Sequence, residues 1–578
     1  MSKYEEYVKA TGPLPEKNWA WNLYGAGIEN FGKNEKPEAF TVPVPGDKQL
    51  LVRIDSVGMC FSDIKILKQG GKHPKLYNRD LSKEPGRLGH EVSLTVIKVG
   101  KDLQDDFSPG QRFAVQPDIY QDGKSTAYGY TIPGGLIQYH LVGPEMMDTD
   151  AGVCLLPVEG EISYGAASLL EPWGCVLAAY TQRRRLSPKT GGIMWIVGFP
   201  GDSTLYQFSK GLDASETIVL TDVPSELKEM AAKTGAAIIE RNGLGIDDYS
   251  LLSEELTQGK GFDDIVVLNP QSAAAVSEIS RHIARRGTMN MIGQSPLDGW
   301  AKVDVGRLHY DYIAFLGNRG PDIGESYGEA RNRCELIPNG TAVFIGAGGP
   351  MGQMHLQRAL ENPEGPQLLI ATEVNQERLE ALEKRFLPLA KEKGRELYVV
   401  NPLEIKPNFY EFVMSHTDGE GADDVVVSVP SARLMEEAAS LMNPNGMMVA
   451  FAGVPTGTMA PVNLSNVYLH NAQYTGTSGL TIDDQAMVLE RAEAGKLSPG
   501  RMIAAIGGMK AAREAIVGVM ESAYPGKIVI FPQIYDLPLM GLDELSEKLP
   551  DVAEKLGPSN TWTIEAEAAL LEGYWKND

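Results

Sequence analysis

One stretch of this chain is written twice, and that duplication limits the folds open to it. Gly261-Phe-Asp-Asp-Ile-Val-Val-Leu-Asn-Pro270 matches Gly421-Ala-Asp-Asp-Val-Val-Val-Ser-Val-Pro430, an offset of 421 − 261 = 160, and Gly293 matches Gly453 at the same offset. Val303-Asp-Val matches Val462-Asn-Leu, and Gly317 matches Gly476, each 159 apart. Upstream, Thr221-Asp222-Val223 parallels Thr372-Glu373-Val374 at 151. Ordered matches at nearly constant spacing argue for an internal duplication whose unit is far longer than a solenoid repeat. Within the first copy, the apolar run Ile193–Val197 precedes a Gly/Pro turn, and Thr217–Leu220 follows after a helix-length interval. Such alternation implies a parallel, doubly wound sheet. Two nucleotide-binding-type units are expected, 191–340 and 341–500.

The remainder reads differently. Residues 1–190 carry short strand-like runs, Leu50–Ile54 and Val92–Ile97, punctuated by Gly and Pro. Gly526–Pro532 holds a strand expected to rejoin this first domain, completing it with 501–532. The tail 533–578 is acidic and helix-forming; packing against the outside is its expected role. The fold class is therefore α/β: a β-rich domain followed by two tandem doubly wound units. At 578 residues the chain is too long for a single core.

The formal charge of −23 argues against a general nucleic-acid or anionic-membrane binder. Cys60, Cys154, Cys175 and Cys334 lie far apart and make no disulfide framework. No apolar run approaches a membrane span, and the N-terminus lacks a signal core. A cytoplasmic protein is the expectation.

Nucleotide binding is best supported in the second unit. Thr341–Ile345 runs into Gly346-Ala-Gly348-Gly349-Pro350-Met351-Gly352, followed by a helix-forming stretch. Glycines allow a tight turn and close backbone approach to a pyrophosphate at a helix N-terminus. Glu373 ends the next strand, where a carboxylate bonds the adenosine ribose hydroxyls and repels a 2′-phosphate, so NAD(H) is favoured over NADP(H). In the first unit the loop is damaged: Phe199 adds bulk, Pro200 lacks an N–H, and Asp202 puts negative charge where an anion should dock. Asp222 would still suit a ribose. A degenerate, structural copy is expected there, its sheet paired with the second through segments ending at Gly317 and Gly476.

Cys60, His90, Glu91 and Glu171 form a mixed ligand set suited to a catalytic Zn²⁺, which keeps a labile position, rather than to a closed structural site. Taken singly, a buried Cys is more often a small hydrophobe and Glu171 a helix cap; their joint occurrence favours zinc. His73, His140 and His309 lack comparable context and are expected in surface or satisfied positions. Arg183-Arg-Arg185 could attract phosphate, but a solvated helix face is the commoner fate of such a run.

Cys60-Phe-Ser62-Asp63, Gly89-His90-Glu91, Pro109-Gly110-Gln-Arg112, Gly134-Gly135 and Leu170-Glu171-Pro172 resemble the motifs of zinc-dependent medium-chain alcohol and polyol dehydrogenases. The tandem arrangement resembles the sorbose-1-phosphate reductase type. The resemblance implies a GroES-like catalytic domain with Cys60, His90 and Glu171 on zinc, Glu91 exchanging onto the metal, and Ser62 passing the hydroxyl proton outward. It implies NAD-linked interconversion of a secondary alcohol of a polyol, sugar or sugar phosphate with its ketone, with Tyr120 and Tyr139 as polar pocket candidates. Residues 116–130 contain no cysteine for the family's second, structural zinc, so one zinc per chain is expected. The partner is a small molecule, and the chain a monomer or homodimer. Alternatives are an NAD-binding sensor or scaffold without turnover, and an oxidation-initiated epimerase or eliminase on the same site.

Overall fold

The structure, a computed structural model, describes residues 2–181 and 184–576. The chain forms two compact units, one of Met1–Ala178, Gly349–Met354 and Gly479–Asp578, the other of Ala179–Gly348 and His355–Ser478. In this division the N-terminal segment of the first unit runs to Ala178, and the segment from Gly479 onward joins that unit. Both copies of the duplication belong to one unit, because they share a single apolar core running from Trp195 and Val197 to Val425 and Tyr474.

The first unit is built on an eight-stranded sheet. Its centre is Leu50–Gly58, all nine residues buried, flanked by Glu91–Val99 and by Lys527–Phe531, which pair with it antiparallel. The register sets Gly58 opposite Glu91. The chain end leaving Leu50–Gly58 and the starts of its two neighbours, Glu91 and Lys527, therefore meet at one end of the sheet. The tail is incorporated as well as packed outside. Met540–Gly541 joins the sheet beside Ile503–Gly508. Buried Glu567, on the helix Ile564–Tyr574, accepts the backbone N–H groups of Tyr164 and Gly165, satisfying the orphan first turn of helix Tyr164–Ser168.

The second unit contains two six-stranded parallel sheets. Strands Ile193–Val197, Thr217–Thr221, Ala237–Glu240, Phe262–Leu268, Ile283–Ile292 and Ala314–Asn318 lie in spatial order 3-2-1-4-5-6. Thr341–Ile345, Leu368–Thr372, Glu396–Val400, Ala422–Val427, Met442–Ala450 and Gln473–Thr475 repeat that order. This is the dinucleotide-binding topology, whose crevice opens where the strand order reverses.

The repeated Asp-Asp motif is a structural latch. Asp263 accepts the N–H of Ile193 and Asp264 that of Lys189, while Arg185 bridges to Asp264. In the second copy Asp423 accepts the N–H of Thr341 and Asp424 that of Ile337, while Arg333 bridges to Asp424. Each pair ties the entry of its sheet's first strand to the fourth strand. Of the arginine run, Arg185 is thus structural, and Arg183 lies outside the described residues.

The two copies part company after their first strands. Thr341–Ile345 leads into a 12-residue helix, Pro350–Glu361. After Ile193–Val197 the described residues show no α-helix before Thr217–Thr221, only a single turn at Leu212–Ala214; the helix-length interval holds no helix. Pro200 cannot donate, and Asp202 is engaged locally, accepting from the Thr204 N–H and the Tyr206 hydroxyl. The space is filled instead by Tyr206, Leu212 and Ile323 in a small separate core.

Ala301–Asp304 of the first copy pairs antiparallel with Met459–Val462 of the second: Ala301 with Val462, Lys302 with Pro461, Val303 with Ala460. At the 159-residue offset, 302 corresponds to 461 and 303 to 462, so the ribbon is self-complementary about Lys302 and Pro461, as in an isologous dimer contact. The two last strands, Ala314–Asn318 and Gln473–Thr475, lie side by side but belong to separate sheets. The ribbon, rather than those edges, makes the ladder between the copies.

Candidate active site

The sheet end described above carries the ligand set. Cys60 follows Leu50–Gly58 and caps the helix Phe61–Gln69; His90 and Glu91 enter the next strand. One donor atom from each of Cys60, His90 and Glu91 lies within 4.8 Å of the others. Asp63, one turn into the helix, accepts the backbone N–H groups of Cys60 and Gly89. Its Oδ1 also lies 3.3 Å from His90 Nδ1. With Nδ1 held by that carboxylate, Nε2 is the ring atom left to ligate, the usual second layer of a metal-bound histidine. Burial opposes an imidazolium here, yet the adjacent Asp63 outweighs it and holds the His90 pKa well above the ordinary value.

Glu91 is fully buried, and its Oε1 accepts from the buried Lys527 ammonium. Its Oε2 has no hydrogen-bond partner among the described residues. A buried carboxylate oxygen without a donor is costly unless a cation meets it. A Cβ on Gly58 would stand 2.2 Å from that oxygen, so the strand needs glycine where it faces Glu91. Thiol, imidazole and carboxylate converging around an orphaned oxygen fit a divalent zinc ion.

Glu171 lies on the helix Leu170–Ala178, buried but outside that tight trio. Burial pushes its pKa up to about 7, with Glu91 adding to the effect and His90 and Lys527 opposing it. Cys175, one turn along, has its Sγ 3.9 Å from Glu171 Oε1. Ser62 is half-buried in the first turn after Cys60.

The ring against His90 is Tyr130, with centroids 5.8 Å apart; it is neither Tyr120 nor Tyr139. Tyr120 is 42% exposed on a hairpin. Tyr139 lines a separate cavity of about 420 Å³ with Trp19, Gln138 and Tyr535. Gly129 brings Tyr130 in, since a Cβ there would stand 2.9 Å from the His90 Cβ. His73, expected at a surface or satisfied position, also packs on Tyr130, with centroids 5.4 Å apart. Lys75 places its ammonium 5.0 Å from the same ring and pairs with Asp118 at 2.9 Å. His309 packs on Tyr310, and His140 lies edge-on to Tyr128. Of the residues around the trio, Lys527 and Tyr130 carry no local sequence signal. Asp63 does carry one, three residues after Cys60 at the position of a capping carboxylate.

The nucleotide loop leaves Thr341–Ile345 at the reversal of strand order. Gly346 has φ +75°. A Cβ on Gly348 would stand 2.0 Å from Glu373 Oε2, so the carboxylate sits directly beside the loop backbone. Glu373 is held by the N–H groups of Val374 and Asn375 at 2.7 and 3.0 Å. Around Gly349 there is open space, Pro350 starts the helix exposed, and Met351 and Gly352 follow in its first turn. This arrangement fits the pyrophosphate and ribose of a dinucleotide. In the first copy, Asp222 is spent on the Gly243 N–H.

Residues 46–148 match the family model "Alcohol dehydrogenase GroES-like domain", and 365–494 match "Zinc-binding dehydrogenase". The chain is 24% identical to mannitol-1-phosphate 5-dehydrogenase of Aliivibrio fischeri, over 94% of this chain and 96% of that protein. It is 23% identical to L-sorbose 1-phosphate reductase of Klebsiella pneumoniae over the same shares. The uncharacterized protein YggP of Escherichia coli is 30% identical over 50% of this chain and 72% of its own length. Among solved structures, 2R,3R-butanediol dehydrogenase from Bacillus subtilis superposes with a TM-score of 0.50 at 14% identity, over 89% of this chain and 99% of that one. This last likeness concerns fold alone.

Proposed function

Because the chain belongs to the zinc-dependent medium-chain alcohol and polyol dehydrogenases, we propose that Cys60, His90, Glu91 and Glu171 serve one catalytic zinc, and that the loop Gly346–Gly352 with Glu373 binds NAD(H). The reaction is the interconversion of a secondary alcohol of a polyol, sugar or sugar phosphate with its ketone. The observation that carries the site assignment is the cluster of half-buried Cys60 with buried His90 and Glu91 around the Glu91 Oε2 that lacks a hydrogen-bond partner among the described residues.

When bound, zinc supplies a Lewis acid for the alcohol oxygen and the dinucleotide a hydride acceptor. The chain's own residues do the rest. Asp63 fixes the His90 ring through Nδ1 and leaves Nε2 as the nitrogen that would hold the ion. Lys527 holds Glu91 in place and offsets its buried charge. Ser62, half-buried beside Cys60, carries the hydroxyl proton outward without adding net charge. Cys60 and His90 are common to any ligand arrangement, while Glu91 and Glu171 are two carboxylates that can share the remaining positions. The loop backbone from Gly346 binds the pyrophosphate, and Glu373 selects a ribose without 2′-phosphate. The first copy is structural in this reading: it has no helix N-terminus at its loop, and Asp202 and Asp222 are bonded internally. It gives the second copy a built-in partner through the ribbon at Ala301–Asp304.

Zinc stoichiometry by mass spectrometry, beside NAD reduction with a panel of polyols and their phosphates, tests the proposal. About one zinc per chain, lost in Cys60→Ala together with turnover, is expected. A folded, zinc-free protein that zinc does not activate would refute it.

A further inference from the structure

The cavity of about 420 Å³ beside Tyr139 is lined by none of the candidate zinc ligands. It lies toward the far end of the same sheet. Lys527 meets Glu91 where the strand Lys527–Phe531 begins, whereas Gln533, in the cavity wall, follows where that strand ends. Gln533 also donates to the Ile54 carbonyl, four residues before Gly58 on the central strand. At ~3.3 Å per residue, about 13 Å of strand separates the cavity from the ligand trio. A molecule held there would not touch the zinc ligands.

Three residues of this wall, Tyr139, Gln533 and Trp575, are only 6%, 7% and 5% exposed. Tyr139 hydrogen-bonds to Asn18 through its backbone, as Trp575 does to Lys3 and Leu571. Gln533 spends its amide N–H groups on the Ile54 and Gln138 carbonyls. The Tyr139 hydroxyl, Gln533 Oε1 and the Trp575 indole N–H are thus left without a partner among the described residues. Buried polar groups of these kinds are ordinarily bonded. Together they offer an acceptor, a donor and a group that can be either, which is what several hydroxyls on one molecule satisfy. The rest of the wall is apolar and uncharged on balance. Trp19 and Tyr535 pack with ring centroids 4.8 Å apart, and Glu16 and Asp536 are matched by Lys17 and Lys576. Lys17 already holds its ammonium 5.8 Å from the Trp19 ring, where a ligand cation would have to compete with it. Burial raises the Tyr139 pKa, so its hydroxyl stays neutral. An aromatic wall with a few convergent neutral polar groups is the make-up of a small-molecule site.

We propose that this cavity is a second ligand site, separate from the zinc, that binds a neutral sugar in its ring form. The C–H face of the sugar packs on the Trp19 and Tyr535 wall, and its hydroxyls meet the Tyr139 hydroxyl, Gln533 Oε1 and the Trp575 N–H. Such binding needs neither zinc nor NAD(H).

The test is calorimetry on the full-length protein with a panel of methyl hexopyranosides, which are locked as rings and carry no free carbonyl. Wild type should bind at least one of them with a Kd of about 1 mM or tighter. The affinity should be undiminished in wild type stripped of zinc by a chelator and in Cys60→Ala. Tyr139→Phe, which removes a single oxygen, should weaken binding about fivefold. Tyr535→Ala, at a half-buried position, should weaken it about tenfold. Added salt should leave the affinity unchanged, as fits a neutral ligand. No binding of any glycoside at about 10 mM would overturn the site. So would binding that both Tyr variants leave intact. Binding that disappears with the zinc would place the sugar at Cys60, His90 and Glu91 instead, and would overturn the second site while leaving the dehydrogenase reading in place. Failure of NAD reduction on every alcohol, with glycoside binding intact, would keep the second site and remove that reading.

Discussion

His355 offers a sharp test of how the nucleotide-loop helix is held. It lies on Pro350–Glu361, is 0% exposed, and shares a 2.7 Å hydrogen bond through Nδ1 with the Tyr180 hydroxyl. Its ring meets Phe451 edge to face at 4.3 Å. Burial, reinforced by Arg358, pushes its pKa from 6.5 to about 3. The unfolded imidazole takes up a proton as pH falls below 6.5, whereas the folded one stays neutral until about 3. Stability present at neutral pH is therefore lost progressively across that window. At pH 5 the unfolded state is favoured by 1.5 pH units of proton binding, about 2 kcal/mol, or about thirtyfold in the opening constant. Hydrogen exchange of the helix amides, corrected for intrinsic rates at pH 7 and pH 5, reads that change directly. Wild type should lose about thirtyfold protection over this interval, and His355→Gln should lose little of it, whatever its absolute stability at pH 7. If the variant loses protection as steeply as wild type, His355 is not the group responsible and the reasoning fails.

Asp63→Asn should weaken zinc binding by about 10–100-fold, measured by competition with a chromophoric chelator, because the His90 ring loses the carboxylate that fixes it. Gly58→Ala should lower bound zinc per chain, since its methyl would occupy the place of Glu91 Oε2; full zinc occupancy would contradict that geometry. Asp264→Asn and Asp424→Asn should each destabilise the second unit by about 3–5 kcal/mol in urea unfolding, as both break a buried ion pair of the same design. A large difference between the two would mean that the latches are not equivalent.

The Asp-Asp repeat, the glycine-rich turn of the second copy and the motifs that hold Cys60, His90 and Glu91 stand out in the sequence, because each is a local pattern whose spacing follows from strand period, turn geometry or ligand chemistry, whereas nothing local told that Glu171 would lie outside the trio those three form. The defect of the first copy was legible too, in Phe199, Pro200 and Asp202; that the chain there forms no helix, and that Tyr206 and Ile323 fill its place, was decided by packing. Pairing of distant strands decided the rest. Lys527 reaches Glu91 across 436 residues only because Lys527–Phe531 pairs beside Leu50–Gly58. Tyr130 meets His90 because Gly129 has no side chain to hold it off. The ribbon at Lys302 and Pro461 needs two segments, each unremarkable alone, to find one register. Local sequence specifies which elements form and what chemistry they carry; which ends of which elements meet depends on burying apolar faces held far apart in the chain, and only the folded structure contains that choice.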